Sequence, residues 1–381
     1  FQVAGLHTQK HEVASLNRIV ADVPNGEAFF SMRRPGVTRL GLAEAARWLV
    51  HTHAYDSSGI KSGMAGDDRV KGGKVYPQGV GWVGGLGGVF AEGSDLRETL
   101  LLNLVPTDED ILTAEPKADL PVWRRDPPPG PGVLAGDPSV PRPAGPRDLY
   151  TWQSRRVLLH TEGPEVTGVV LGYGDPLTPA NRQKMEAMTG WRRSPAQEKK
   201  LGRSLIYLPR QHDPARAAWR GLASLLEAQK QDGDTTGRGT DRTLPPGVVR
   251  WLTLLTSEGV LPKRSLIRTR LVGAVYGTQQ SVVDEVMDDS IALPVVLLDQ
   301  DRGLHRAVAV GAVSDAEQAV SALGRLAGNL ARAVGSDTGP ATSTARDLGF
   351  GALDGPYRGW LAGLAEYSDP DRARAKWHGI A

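Results

Sequence analysis

Residues 268–285 read RTRLVGAVYGTQQSVVDE, and the fold turns on how this stretch is read. Leu266, Arg268 and Arg270 alternate with Ile267, Thr269 and Leu271, and Val272 and Val275 continue the run, which predicts a strand. Gly277-Thr278-Gln279-Gln280-Ser281 then interrupts it with small or amide-bearing residues, and Val282, Val283 and Val286 follow with acids between them. The result is a rigid strand ending in a short tip with two adjacent glutamines. Amides donate and accept hydrogen bonds without a charge to desolvate, which suits probing or splitting a base pair. An ordinary polar hairpin turn is the structural alternative.

The rest of the chain bounds these readings. Its 381 residues exceed one ordinary domain and imply two. It begins at Phe1 rather than Met, as expected of a fragment or of a chain that has lost a disordered start. The net charge of +2 excludes a polycation, so any nucleic-acid surface must be local. With no cysteine there is neither a disulfide framework nor a thiolate metal site. No apolar run approaches the roughly twenty residues of a membrane span, and a cytoplasmic protein is the default expectation.

In chain order, a helix is expected near residues 12–21 and a stronger one over 42–53, where Leu42, Ala46, Leu49 and Val50 share a face. Residues 59–93 hold twelve glycines, with Lys61, Arg69, Lys71 and Lys74 in the first half. Such backbone allows close approach of another chain or a phosphate. Residues 95–104 (DLRETLLLNL) read as a short buried element. The eight prolines of residues 126–147 read as an irregular surface connection, an insertion or linker. Strands are expected at 155–160, 166–171 and 204–208, and helices at 213–231 and 248–257, with a polar, mobile loop over 232–247. Ser314-Asp315-Ala316-Glu317 has the form of a capping box, opening an all-helical region with further helices at 355–367 and from Asp369.

Arginines repeatedly adjoin tryptophans, at Trp123, Trp152, Trp191 and Trp219, and residues 182–203 carry seven Lys/Arg against two Glu. Basic and aromatic neighbours suit phosphate contact with base stacking, or internal cation–π packing. Gly79-Val80-Gly81-Trp82-Val83-Gly84 matches the dinucleotide pattern, but no buried strand precedes it. Asp288, Asp289, Asp299 and Asp301 could suggest a two-metal site, though no histidine or glutamate at telling spacing supports one. His51 and His53 are two apart and diverge on a helix. Two readings outside nucleic-acid recognition stay open: a nucleotide-dependent enzyme using the glycine motif, and an assembly scaffold.

The stretches YTWQSRRVLL (150–159), VTGVVLGYGDPLTPANRQKMEAMTGWRRS (166–194) and LVGAVYGTQQSVVDE (271–285) resemble the large subunit, CasA, of the type I-E CRISPR surveillance complex Cascade, in its actinobacterial form. HTHAYDSSGIKSG, KGGKVYPQGVGWVGGLGG and DLRETLLLNLV match the same family further upstream. The similarity runs over the whole chain, although the family's full chain is longer and Phe1 would lie well inside it.

The resemblance implies an α+β protein: a large mixed α/β N-terminal domain of unusual fold, here residues 1–300, and a C-terminal four-helix bundle, here 301–381 and incomplete. It implies a non-catalytic protein without cofactor or metal. Its partners would be the other Cascade subunits, the 5′ handle of the CRISPR RNA, double-stranded target DNA and the helicase-nuclease. Protein would read the protospacer-adjacent motif while base pairing reads the rest. The family's glutamine wedge falls on Gln280, flanked by Gln279 and Ser281. Its glycine loop falls on Gly72-Gly73-Lys74, with GIKSGMAG (59–66) as a second candidate. Its minor-groove lysine falls on Arg182, a departure, with Lys184 as the nearby alternative. Its RNA- and subunit-contacting loop covers residues 29–36, with Phe29, Phe30, Met32 and Arg33.

Overall fold

The alternation around residue 270 builds the longest ladder of the molecule. In the computed structural model, residues 1–21, 36–108, 110–132, 141–226 and 243–381 are described. β1 (Leu40–Gly41) leads into helix α1 (Leu42–Tyr55), and a small hairpin, β2 (Lys61–Ser62) and β3 (Lys74–Val75), precedes β4 (Gly87–Glu92) and α2 (Leu96–Leu102). After α3 (Pro146–Tyr150) come β5 (Arg155–Glu162), β6 (Glu165–Tyr173), β7 (Trp191–Arg193), α4 (Pro195–Leu201), β8 (Tyr207–Pro209) and α5 (Leu222–Leu225). β9 (Thr243–Leu244) and α6 (Gly247–Ser257) lead to β10 (Leu266–Tyr276) and β11 (Val283–Pro294). Three helices follow, α7 (Gly303–Ala333), α8 (Thr338–Ala362) and α9 (Pro370–His378).

All strand pairs in the four small sheets are antiparallel. β10 lies between β11 and β4, pairing Leu271 with Asp289 on one side and with Val89 on the other. Its inward residues Ile267, Thr269 and Leu271 are buried while Leu266 and Arg268 are exposed, the period-two pattern of a half-buried strand. One core joins β4, β10 and β11 to α6 and to α7, α8 and α9. A second lies between α1 and the β1–β6–β5 sheet.

The aromatic centre of the larger core ties the three C-terminal helices to the 3₁₀ turn Ala218–Gly221. Tyr357 on α8 stacks on Trp219 at 4.5 Å and meets Trp377 of α9 edge-on at 5.3 Å. Its hydroxyl donates to the Ala309 carbonyl of α7 at 2.9 Å, and the Trp219 indole donates to Asp354 at 2.9 Å. Gly324 and Gly328 let α8 close on α7; a Cβ at Gly328 would lie 2.6 Å from Thr342 Oγ1.

Several expectations need correction. Residues 12–21 hold only a 3₁₀ turn, Leu16–Arg18. The expected helix at 213–231 is a 3₁₀ turn, Ala218–Gly221, with the single turn α5; residues 227–231 lie outside the described residues. Ser314 does not start a helix, because α7 already begins at Gly303; Glu317 instead accepts from Arg216. The helix expected at 355–367 is the second half of α8, which contains Pro356, followed by a 3₁₀ turn. The 95–104 element is a helix with no buried residue: Leu96 is 73% and Leu104 66% exposed. Of the loop expected over 232–247, residues 232–242 lie outside the described residues, and the remainder supplies β9 and the start of α6.

The proline-rich stretch is a surface connection over only part of its described length: Asp126, Pro127, Pro128 and Pro141 are exposed, but the end of the stretch turns inward. Pro143, Ala144, Gly145 and Pro146 are buried. Next to them the buried Asp148 carboxylate accepts from Arg142 at 2.6 Å and lies 2.8 Å from Arg125. Prolines remove donors, and these buried ion pairs supply the cross-links instead. Trp377→Ala should remove about 3–5 kcal/mol. Because the core is shared, denaturant unfolding followed by hydrogen exchange should show β10 and β11 loosening together with α7–α9.

Candidate nucleic-acid interface

The surface that carries the glutamines is set from below by one arginine. Arg155 at the start of β5 is buried, and its guanidinium pairs with Asp56 just past α1. It also donates to the carbonyls of Ser154 at 2.9 Å, Asp56 at 2.9 Å, Ser57 at 3.2 Å and Gly79 at 2.9 Å. Lys61 of β2 reaches the same Asp56 carboxylate at 2.6 Å, and both cations lie over the Tyr173 ring, at 4.8 Å for Arg155 and 5.4 Å for Lys61. Breaking such a desolvated pair strands a buried charge.

On this base sits the tip between β10 and β11. Gln279 and Gln280 both take left-handed backbone, with φ of 56° and 57°, and both are exposed. That region costs a non-glycine residue roughly 1–2 kcal/mol, because Cβ crowds the carbonyl. Three bonds hold it. The Ser58 amide donates to the Gln280 carbonyl at 2.7 Å, the Gln280 amide to Gly277 at 2.8 Å, and the Gly277 amide to Val282 at 3.1 Å. Ser281 turns its hydroxyl back to the Thr278 carbonyl at 2.9 Å. The glutamine side chains are thus presented by an over-determined backbone.

The dinucleotide-like glycines act here as packing residues. A Cβ on Gly81 would lie 2.5 Å from the Ala54 backbone, and one on Gly84 would lie 2.3 Å from Tyr276 Oη, whose hydroxyl donates to the Tyr55 carbonyl at 2.7 Å. Gly79, with φ of 93°, lies against the Gln280 side chain; its Cβ would stand 4.0 Å from Oε1. The second half of the motif is itself a single 3₁₀ turn, Trp82–Gly85, where a dinucleotide site needs a helix after a buried strand.

The two candidate glycine loops are parts of one hairpin. Lys61 pairs with Val75 and Ser62 with Lys74, so residues 59–66 and 72–74 run alongside each other. Gly72 and Gly73, with φ of 57° and 75°, turn the chain between Lys71 and Lys74 and are exposed, with open space at both Cβ positions. The hairpin's other end enters from Asp56, Ser57 and Ser58, beside the glutamine tip. Glutamines, glycine turn and Lys74 therefore share one scaffold.

Arg182 and Lys184 stand on a different loop, tied to β4 and α6 by the Val89 amide donating to Met188 at 2.7 Å and the Val248 amide to Ala187 at 2.8 Å. Arg182 is half-buried and donates to the Thr178 carbonyl at 3.3 Å; Lys184 is exposed. Glu186 lies buried beneath them, accepting from Tyr150 Oη at 3.2 Å and the Met188 amide at 2.7 Å. Burial pushes its carboxyl up to about 7. Phe29, Phe30, Met32 and Arg33 lie outside the described residues.

Most basic–aromatic neighbours turn inward. Trp152, Trp191 and Trp219 are buried, and Arg156 is a buried partner of Asp175 at 2.5 Å, so these offer no stacking surface. The four aspartates do not converge: Asp288 pairs with Arg270, Asp289 with Arg358 and Asp299 with Lys263. Among the described residues no group of three or more His, Asp or Glu could hold a metal, and no helix is long and apolar enough to cross a membrane. The His53 imidazole, buried against the Phe1 carbonyl at 2.9 Å, is pushed down to about 4 mainly by desolvation. Sequence reasoning missed Arg155, whose acceptors lie far away along the chain.

Arg155→Met should cost about 3–5 kcal/mol in denaturant unfolding and speed exchange of the Ser58 amide, since it leaves Asp56 with Lys61 alone and frees three loop carbonyls. For Glu186 the folded pKa is raised. Its contribution is therefore fully present below the unfolded value near 4.5, and is lost as pH rises through about 7. Glu186→Gln should accordingly remove a fall in melting temperature between pH 5 and pH 7, measured as the difference from the parent chain so that His53 cancels.

Against known proteins, the family profile described as CRISPR-associated protein Cse1 matches residues 1–380. No curated protein matches the chain. The crystal structure of Thermobifida fusca Cse1 superposes with a TM-score of 0.90 at 54% identity, over 100% of this chain and 70% of that one. Cse1 from Acidimicrobium ferrooxidans gives 0.79 at 30% identity, over 100% and 71%. A chain of a solved CRISPR RNA-guided surveillance complex, at 18% identity and a TM-score of 0.53 over 96% and 75%, shares the fold alone. With a profile matching residues 1–380 and a relative 54% identical over the whole of this chain, the chain belongs to the CRISPR-associated Cse1 family, also named CasA.

Proposed function

We propose that this chain is the large, non-catalytic subunit of a type I-E CRISPR RNA-guided surveillance complex. It reads the protospacer-adjacent motif on double-stranded DNA, opens the first base pair, and helps recruit the helicase-nuclease. One observation carries the reading: two consecutive glutamines held in left-handed backbone at an exposed tip. Glycine or asparagine would satisfy such a turn with less strain, so the long amides at this position point to a task for the side chains.

The neighbouring groups fit the same task. Exposed backbone at Gly72 and Gly73 can approach a minor groove closely, and Lys74 beside it offers a phosphate contact. Arg182 and Lys184 would contribute from their separate loop. A neutral wedge opens a pair at a cost of a few kcal/mol, which phosphate contacts offset. Assembly with other subunits is supported by the apolar surface of α2 and its exit, where Leu96, Leu100 and Leu101, with Leu104 just past the helix, are all exposed. The residues 29–36 would serve the same contact.

The test uses the reconstituted complex and two duplexes that differ only in the adjacent motif, with the parent chain and Gln280→Ala. Motif-dependent affinity should survive the substitution, while strand opening, read by fluorescence of a base analogue beside the motif, should fall about tenfold or more, the size of one lost side-chain interaction. Equal affinity of the parent complex for both duplexes would make the chain a scaffold and overturn motif reading. Undiminished opening by Gln280→Ala would remove the wedge.

A further inference from the structure

A cavity of about 330 Å³ lies between the β7–β8 sheet and the 3₁₀ turn Ala218–Gly221, and cations dominate its wall. Arg192, Arg210 and Arg216 line it with His212, against a single acid, Asp213. Arg192 occupies the central strand of its sheet, paired through its backbone with Leu208 and Thr243. Arg210 is anchored by its own amide, which donates to the Gly190 carbonyl at 2.8 Å.

The cations are not matched internally. Among the described residues, neither the Arg192 nor the Arg210 guanidinium makes a hydrogen bond or ion pair. Burial, with Arg216 nearby, pushes the Arg210 guanidinium below its ordinary value. Arg216 does have a carboxylate, but shares one oxygen of it: Glu317 Oε1 lies 2.6 Å from Arg216 and 3.2 Å from Arg220. His212 Nε2 faces the Gly88 carbonyl at 2.9 Å, which can only accept, so this nitrogen carries the proton of the neutral ring. Nδ1 has no partner among the described residues. Desolvation, with Arg210 nearby, pushes the His212 imidazole down.

A half-buried guanidinium without acceptors is costly, and its neighbours raise that cost. Three guanidiniums, joined by His212 once an oxyanion draws a second proton onto Nδ1, offer more donors than the two oxygens of a carboxylate can use, whereas a phosphate matches them. We propose that this cavity is a phosphate-oxyanion site built on Arg192, Arg210, Arg216 and His212, distinct from the glutamine tip. The phosphate belongs either to a small molecule such as a mononucleotide or to a polynucleotide backbone, and the cavity's volume sits at the lower end of small-ligand pockets.

The site is tested on the full chain by calorimetric titration with inorganic phosphate, then with AMP and a short oligodeoxythymidine as competitors. Saturable phosphate binding is expected, weakened about tenfold or more by Arg210→Gln and by Arg192→Gln, as for loss of a charge-assisted hydrogen bond. Arg325→Gln, on the exposed side of α7, should leave it unchanged. Phosphate should also raise the His212 pKa in an NMR titration. Displacement by the oligonucleotide assigns the site to a backbone, and displacement by AMP alone assigns it to a small molecule. Absence of saturable binding by all three probes, or binding indifferent to both arginine substitutions, overturns the proposal. Should Arg210→Gln fail to fold, the exposed Arg192→Gln carries the test. The titration needs neither partner subunits nor a duplex, so it stands or fails independently of the glutamine reading.

Discussion

A guanidinium cut off from water must find acceptors, and Arg155 finds them on two stretches of chain far from its own. Asp56 supplies the counter-charge, while the carbonyls of Ser57 and Gly79 fill remaining donors. Those stretches are the segment that leads from the exit of α1 into the β2–β3 hairpin, and the start of the glycine motif. They surround the tip that bears the glutamines. A single desolvated charge thus fixes the mutual position of loops that have little hydrophobic core of their own. The arrangement suits a recognition surface, because loops placed by internal polar cross-links can leave their outer faces free for a partner.

Close approach of backbone is the second constraint. Gly81 and Gly84 admit the end of α1 and the Tyr276 ring at distances no side chain would allow, and Gly277 does the same for the Asp284 carboxylate. The glycines of residues 59–93 therefore divide by role. Those at 81 and 84 are internal spacers, and those at 72 and 73 form an open turn on the surface. The same composition serves packing at one end of the segment and exposure at the other.

How much of this was legible in the sequence depended on the range of the interaction. Local patterns read well in part: the alternation of β10, the helix α6 and the Asp369–Pro370 start of α9 took shape as expected, whereas α1 forms where expected but buries Ala45, Leu49, Thr52 and His53 and leaves Leu42, Ala46 and Val50 exposed. Features set by distant partners did not. Arg155 and Arg156 look like surface cations in the sequence, yet their acceptors lie up to 99 positions away for Asp56, and both are buried. Ser314 to Glu317 satisfies a capping pattern, but the helix continues through it because its preceding turn is equally helical and Glu317 is drawn to Arg216. The leucines of α2 carry the composition of a core element, and only tertiary packing shows that the core lies elsewhere. At the candidate interface the glutamine pair could be singled out from residue type. The left-handed backbone, and the joining of two glycine loops in one hairpin, could not.

The open leucines of α2 have a consequence for the cell that makes this chain. A short helix with Leu96, Leu100 and Leu101 facing water, and Leu104 just beyond its end, gains free energy from any apolar surface that meets it, including another copy of itself. Synthesis in excess of whatever covers that helix turns the surplus into an aggregation hazard, so the supply of this subunit is constrained by stoichiometry as well as by its stability.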